Sequence, residues 1–587
     1  MTVVQEGAGT AFVNGDRICA TLVDGRIHIG ATQFEPTLPE SEKIQAFACR
    51  SDTTILVTGG QSALDKPRMP GPSLCPIPTE GTTAQRFGSY PEKGMSLWRF
   101  AVDPERSADP DGSADSVAER LAFVSGIEEI RDPIEIDGRR VAYHAYHFPS
   151  YGERPWSRLM VVDAQTGEVA DLLPDLPGAT MGLALSPDKR RQAFLHSTVH
   201  ASFPFWFRLA VRTQDGPVQY PLPETIRLTG ATPVWSPDGA WVAVTAFEGI
   251  RVIVITVSIL DDAPPTWTWR RLRAFDGVYR NLAPHNDGSV LCVRHAPGEP
   301  AAIVQLTADR SPRVVGPSPA AARDSSVNYQ LIRWENGGHT FEGIYARASD
   351  ATGTPPLIVD IHGGPVNGLQ YSPHPHIEDW CSRGFSVFAP DYRGSGIAGL
   401  AEMMRVMRGE AGAVEDECND VLTGVSHLID CGLADERALF VFGHSAGASL
   451  VNQLVARTNR FRAAVSWETH TDDELGYYLA WGGGGLTHIS DMYGGSPVES
   501  PDIYRRQSAT SQAGNVKTPL LLLYGDDLTA PAIKWYTLLR EHGVETDLIF
   551  YRGEGHVMQR PENQRDVFDR SAVWFRRFAV EPSGFHL

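Results

Sequence analysis

The chain has 587 residues, 42% of them hydrophobic, and a formal net charge of −19. That length exceeds what one core holds and calls for two domains, and the acidic balance argues against nucleic acid or an anionic membrane as partner, because phosphate binding needs clustered Lys and Arg. The seven cysteines are odd in number and irregularly spaced, and no apolar run nears the roughly 18 residues of a membrane span; with no leader-like N-terminus, the reading is reduced thiols in a cytoplasmic protein.

The first half consists of short apolar or alternating runs separated by Asp-Gly, Pro-Asp and Thr-Gly turns. Residues 60–95, rich in Pro and Gly, read as a long loop or insertion. Then a repeat sets in. Ile136-Asp137-Gly138-Arg139 is echoed by Ser186-Pro187-Asp188-Lys189, by Ser236-Pro237-Asp238-Gly239 and, more weakly, by Asn286-Asp287-Gly288-Ser289. The turn aspartates lie 51, 50 and 49 residues apart. A period near 50 with four short strands per unit marks a β-propeller blade, and the Asp-Gly pair suits a tight hairpin. Dividing the first 325 residues or so by that period leaves six or seven blades, and seven is the expectation. A small-residue linker at 316–324 ends this domain, giving a β-propeller over 1–325 and a second domain over 326–587.

The second domain alternates strand and helix patterns, as a mostly parallel sheet with helices on both faces requires. Residues 327–348 read as an opening hairpin. A short apolar strand follows, Pro356-Leu357-Ile358-Val359-Asp360-Ile361, and ends in His362-Gly363-Gly364-Pro365. Such a corner can aim the N–H of Gly364 at a developing oxyanion, while His362 shapes the loop by hydrogen bonding. Residues 385–390 form another strand, and 413–429 a helix with apolar residues near helical spacing. The most informative stretch is Val441-Phe442-Gly443-His444-Ser445-Ala446-Gly447. A buried strand runs into Gly-x-Ser-x-Gly and then a helix, which makes Ser445 a nucleophile on a sharp elbow and the N–H of Ala446 the second oxyanion donor. Farther on, Thr518-Pro519-Leu520-Leu521-Leu522-Leu523-Tyr524 leads into Gly525-Asp526-Asp527, and Asp547-Leu548-Ile549-Phe550-Tyr551 into Arg552-Gly553-Glu554-Gly555-His556. A carboxylate and a histidine at such strand ends, in this chain order, complete the parts of an α/β-hydrolase. His556 would act as general base, and an aspartate would hold its tautomer, Asp527 being favoured over Asp526. Neither His374-Pro375-His376 nor His470 with Asp472 and Asp473 has the ligand spacing of a zinc site, and no phosphate loop or dinucleotide fingerprint follows a strand, so neither metal nor cofactor is expected.

These segments resemble the prolyl oligopeptidase family of serine peptidases, in its acylaminoacyl-peptidase and dipeptidyl-peptidase-like branch. The resemblance rests on His362-Gly363-Gly364-Pro365, Phe388-Ala389-Pro390-Asp391-Tyr392-Arg393-Gly394-Ser395, Gly443-His444-Ser445-Ala446-Gly447, Asn515-Val516-Lys517-Thr518-Pro519 and Gly553-Glu554-Gly555-His556. It implies a triad of Ser445, Asp527 and His556 in a site capped by the propeller. The acidic turn departs from the family's pattern: counting back from Pro531 gives Asp527, while counting forward from Gly525 gives Leu528. The segment at Trp467 also departs, and the resemblance places it in the acyl-side pocket. Propeller glutamates hold the substrate's amino terminus in exopeptidases of this kind, and Glu128 and Glu129 are the pair available here.

The function expected is therefore a serine peptidase acting on short peptides or acyl-peptides through an acyl-enzyme. An esterase, amidase or acyl-transferring tailoring enzyme would use the same triad, and a non-catalytic binding propeller is the third class. The expected partner is a short peptide or peptide-like molecule. Oligomeric state stays open, although relatives often assemble.

Overall fold

The computed structural model describes the backbone of strands between Thr2 and residue 133. From residue 134 it describes side chains as well, except at 135, 138, 146–155, 199–205, 214, 215, 217, 260–267, 286, 317–325, 365, 367, 479–488, 491 and 580–587. The chain divides into two compact units, the first of Met1–Lys66, Pro91–Pro149 and Arg154–Arg323 and the second of Pro67–Tyr90, Ser150–Glu153 and Asp324–Leu587.

The first unit holds six antiparallel sheets of three to five strands among the described residues, over 2–34, 43–125, 129–171, 179–213, 234–271 and 278–317. This is the architecture of propeller blades. Seven were expected from the period; within 60–95 the described structure also has a strand pair, Leu74–Pro76 with Gln85–Phe87, in a stretch that groups with the second unit. The repeated turn has a clear cause. Ser186 Oγ donates to Asp188 Oδ1 at 2.6 Å, the same oxygen accepts the Arg190 N–H at 3.1 Å, and the Arg191 N–H returns to Ser186 Oγ at 2.9 Å. Ser236 and Asp238 repeat these bonds with Ala240 and Trp241 at 2.6, 3.0 and 3.0 Å. The carboxylate thus stands in for the next ladder bond, and the serine bond above all holds both acids below the ordinary range. The residue after each aspartate is left-handed: Gly239 at φ 71°, Gly288 at φ 80°, and Lys189 at φ 59°.

The second unit is an eight-stranded sheet whose strands are β1 (Val327–Asn336), β2 (His339–Ala348), β3 (Leu357–Ile361), β4 (Ser386–Pro390), β5 (Leu439–His444), β6 (Ala463–Trp467), β7 (Leu520–Tyr524) and β8 (Thr546–Phe550). Their spatial order is β1-β2-β4-β3-β5-β6-β7-β8. The first two pairings are antiparallel and the rest parallel. Parallel strands need covered faces, and β5 shows how the sequence supplies both. Leu439 and Val441 join the aliphatic core that also holds Val421, Val425 and Trp535. Phe440 and Phe442 point the other way, onto Phe575 at 4.9 Å and Phe568 at 5.8 Å between ring centres. The C-terminal ends of β3, β5, β6, β7 and β8 therefore lie side by side, where an open α/β sheet places its ligands.

Candidate active site

Strand β5 stops at His444, and helix α1 (Ala446–Val455) begins one residue after Ser445. Ser445 makes the reversal at φ 58°, ψ −127°, a conformation L-residues rarely adopt. The reversal is held from both sides. Its N–H donates to the Trp467 carbonyl at 3.0 Å, and its own carbonyl accepts the Ser449 N–H at 3.0 Å. Glycine is needed next to it for space: a Cβ on Gly447 would sit 2.0 Å from the carbonyl oxygen of Ile361. With no Cβ there, α1 packs directly on the end of β3.

The loop after β3 packs on the other side of the serine. A Cβ at Gly363 would lie 3.1 Å from Ser445 Cβ and 2.7 Å from the His444 carbonyl oxygen. Gly364 follows at φ 72°. Ala446 is the first residue of α1, and no side chain caps that helix, so its positive end faces the elbow. His362 is tied into the neighbouring strand. Its Nε2 lies 3.1 Å from Asp391 Oδ1, its ring stacks on Tyr392 at 4.6 Å, and Tyr392 Oη donates to its carbonyl at 2.9 Å.

His556 reaches Ser445 from the loop after β8, with Nε2 at 2.9 Å from Oγ. That is bonding distance for proton transfer. Three side chains steady this histidine. His444 Nε2–H donates to the His556 carbonyl at 3.0 Å; burial pushes the His444 imidazole down to about 4, so it stays a neutral donor. Asp527 Oδ2 accepts the main-chain N–H of His556 at 2.8 Å. Glu468, the residue after β6, has its Oε2 3.6 Å from His556 Nδ1. Asp526 turns to the preceding stretch of the same loop, accepting the Gly553 N–H at 2.8 Å and pairing with Arg552 at 3.1 Å. The sequence reading gives Asp527 the imidazole; in the structure its bond goes to the main chain of His556, and the carboxylate set against Nδ1 is that of Glu468.

Residues 374–580 match the family model of the prolyl oligopeptidase family. That segment belongs to this family. Over 255 residues the chain is 29% identical to acylamino-acid-releasing enzyme 2 of Oryza sativa subsp. japonica, covering 40% of this chain and 32% of the relative. It is 30% identical to the uncharacterized peptidase YuxL of Bacillus subtilis, covering 38% of this chain and 34% of that protein. The chain thus spans about a third of the length of these curated relatives. In fold it is similar to the Pyrococcus horikoshii acylaminoacyl peptidase, with a TM-score of 0.69 at 16% identity over 99% of this chain and 88% of that one. The chain therefore has the fold of a β-propeller followed by an α/β-hydrolase domain.

In the prolyl oligopeptidase domain, Trp467 packs at 4.3 Å on the His444 ring and at 6.3 Å on Phe442 and Phe568, beside the Ser445 elbow. Glu128 lies outside the described residues; Glu129 opens a propeller strand, and its side chain lies outside them too. Among the described residues no group of three His, Cys, Asp or Glu could hold a metal ion, and no helix is long and apolar enough to cross a membrane. Sequence reasoning passed over His444 and Glu468. The first sat inside the elbow motif as its variable residue. The second was visible only as an acid closing the strand next to the elbow.

Proposed function

We propose that this chain is a serine hydrolase of the prolyl oligopeptidase type, cleaving short peptides or acyl-peptides through an acyl-enzyme. The observation that carries the proposal is the 2.9 Å contact between Ser445 Oγ and His556 Nε2 at a backbone reversal held from both sides. In this reading Ser445 Oγ–H passes its proton to Nε2 while Oγ bonds to the substrate carbonyl carbon. The oxyanion that forms accepts the N–H groups of Gly364 and Ala446, the second strengthened by the helix dipole. The imidazolium then protonates the leaving amine, and a water repeats the sequence to free the acid. Asp527 holds the loop that carries His556, and Trp467 lines the acyl side.

Relatives named for releasing acylamino acids favour a substrate with a blocked amino terminus. The net charge of −19 supports a small peptide partner over nucleic acid or membrane, and the cysteine usage supports a cytoplasmic setting. A fluorophosphonate probe tests the chemistry. One adduct is expected on the parent chain and none on Ser445→Ala, and equal labelling of both would end the proposal. Acyl-peptides, free-amino dipeptide amides, Pro-containing peptides and simple esters then separate the substrate classes. Turnover of esters alone would replace the peptidase reading with the esterase one.

A further inference from the structure

Glu468 is a fully buried acid in a strained position. It shows 0% exposure, and its φ of 50° lies in the left-handed region. Such a residue persists only where its surroundings hold it. They do so across three adjacent strand ends. The preceding carbonyl, of Trp467, takes the N–H of Ser445 at 3.0 Å, and the N–H of Glu468 itself donates to Leu523 of β7 at 2.9 Å. One carboxylate oxygen, Oε1, accepts the Gly525 N–H, the first residue of the acidic turn. The other, Oε2, has no hydrogen bond among the described residues and faces His556 Nδ1 at 3.6 Å.

An ionised carboxylate with one oxygen left without a hydrogen bond is costly to bury. The cost falls when a positive charge appears beside it, and in this site a positive charge appears only when His556 takes the serine proton. The arrangement thus favours the transition state over the resting state, which is what accelerates a reaction. Asp527 is differently committed. Its Oδ2 holds the His556 main-chain N–H, and the same oxygen leaves no room for a side chain at Gly555, where a Cβ would sit 2.7 Å away.

We propose that the acid's work is divided. Glu468 is the positioning residue for the imidazole of His556, and Asp527 anchors the main chain of the loop that carries it. The proposal rests on the Ser445–His556 reading above. The groups facing the Glu468 carboxylate are the His556 ring, the Gly525 N–H, Asp527 and the Tyr524 hydroxyl. Burial raises the carboxyls of both Glu468 and Asp527; the charge of Asp527 adds to the rise at Glu468, and that of Asp526 to the rise at Asp527. The contacts with His556 oppose that rise without cancelling it.

Glu468→Gln, Glu468→Asp and Asp527→Asn in the full chain decide it, with fluorophosphonate labelling rates followed from pH 5 to 9. The kcat and KM are measured in parallel on an N-acyl peptide amide. Glu468→Gln should slow labelling at pH 7 by roughly 10²–10⁴-fold, with KM unchanged and the acidic limb of the profile moved to lower pH. Glu468→Asp, which keeps the charge, should recover part of the rate, and Asp527→Asn should lose less rate and more thermal stability. The division is overturned if Glu468→Gln labels within about threefold of the parent on the same pH profile. It is equally overturned if Asp527→Asn alone shows the full rate loss. Labelling of Ser445→Ala at the parent rate is a different result, which removes the nucleophile and not merely this division.

Discussion

Replacing Gly447 by alanine sets two effects against each other, and the structure says which wins. On an exposed helix the change would stabilise by about 0.5–1 kcal/mol, because glycine is a poor helix former. Here the added Cβ would lie 2.0 Å from the Ile361 carbonyl oxygen and 2.8 Å from that of His362. Real Cβ atoms stay at least 3.0 Å away, so the backbones of β3 and α1 must part by at least about 1 Å. Neither obstacle is a side chain that can swing aside. Overpacking of this kind costs about 1–3 kcal/mol, and the movement falls between the elbow and the loop carrying Gly364. A 1 Å misplacement of reacting groups is worth roughly 10²-fold in rate. Gly447→Ala should therefore lower fluorophosphonate labelling of Ser445 by about 10²-fold and the Tm of the hydrolase transition by roughly 2–12 °C. Gly316→Ala, with nothing within 4 Å of the new Cβ, is the matched control and should change neither. A Gly447→Ala chain that labels at the parent rate and melts no lower would show that the contact between β3 and α1 does not set the elbow.

Two further predictions concern buried charge. Arg393 grips Asp420 with two bonds of 2.7 Å, Nε to Oδ2 and Nη2 to Oδ1, where Asp420 has no exposure; Arg393→Met should cost about 3–5 kcal/mol in chemical denaturation by leaving that carboxylate uncompensated, and Asp420→Leu added to it should restore most of the loss. Were the single and double variants equally unstable, the pair would matter for its shape rather than its charge. Glu417 is pushed up to about 8, first by burial and then by the nearby Asp420, from an ordinary value of 4.5. Because the folded state holds this proton more tightly, its stabilisation is complete below about pH 4.5 and is lost as pH rises through 8, at up to about 1.4 kcal/mol per pH unit. Glu417→Gln should flatten that decline in unfolding free energies taken at pH 5, 7 and 9, and parallel curves for parent and variant would refute it.

How far the site could be read from sequence depends on the range of the forces that build it. The elbow was legible because all its causes are local: a strand, a residue forced to a left-handed angle, and glycines where neighbouring backbone must pass. The blade turns were legible for the same reason, since each aspartate bonds to the N–H two residues on. The choice between Asp526 and Asp527 was not local. Adjacent residues at a strand end face apart, and which one meets the His556 segment follows from how the loop after β8 lies across β7. In the structure Asp526 bonds to Gly553 and Asp527 to His556, a separation of three residues along one loop that no motif encodes. Glu468 was least legible of all. It precedes His556 by 88 positions, and only the spatial order β5-β6-β7 brings it between the elbow and the acidic turn. Its type offered a clue nonetheless. An ionisable residue directly following the buried strand Ala463-Ala464-Val465-Ser466-Trp467, next to the strand that ends in the Ser445 elbow, is buried, and a buried carboxylate needs a charge to answer. In the mechanism we propose, the charge within reach is the one His556 would acquire on taking a proton from Ser445, whose Oγ lies 2.9 Å from its Nε2.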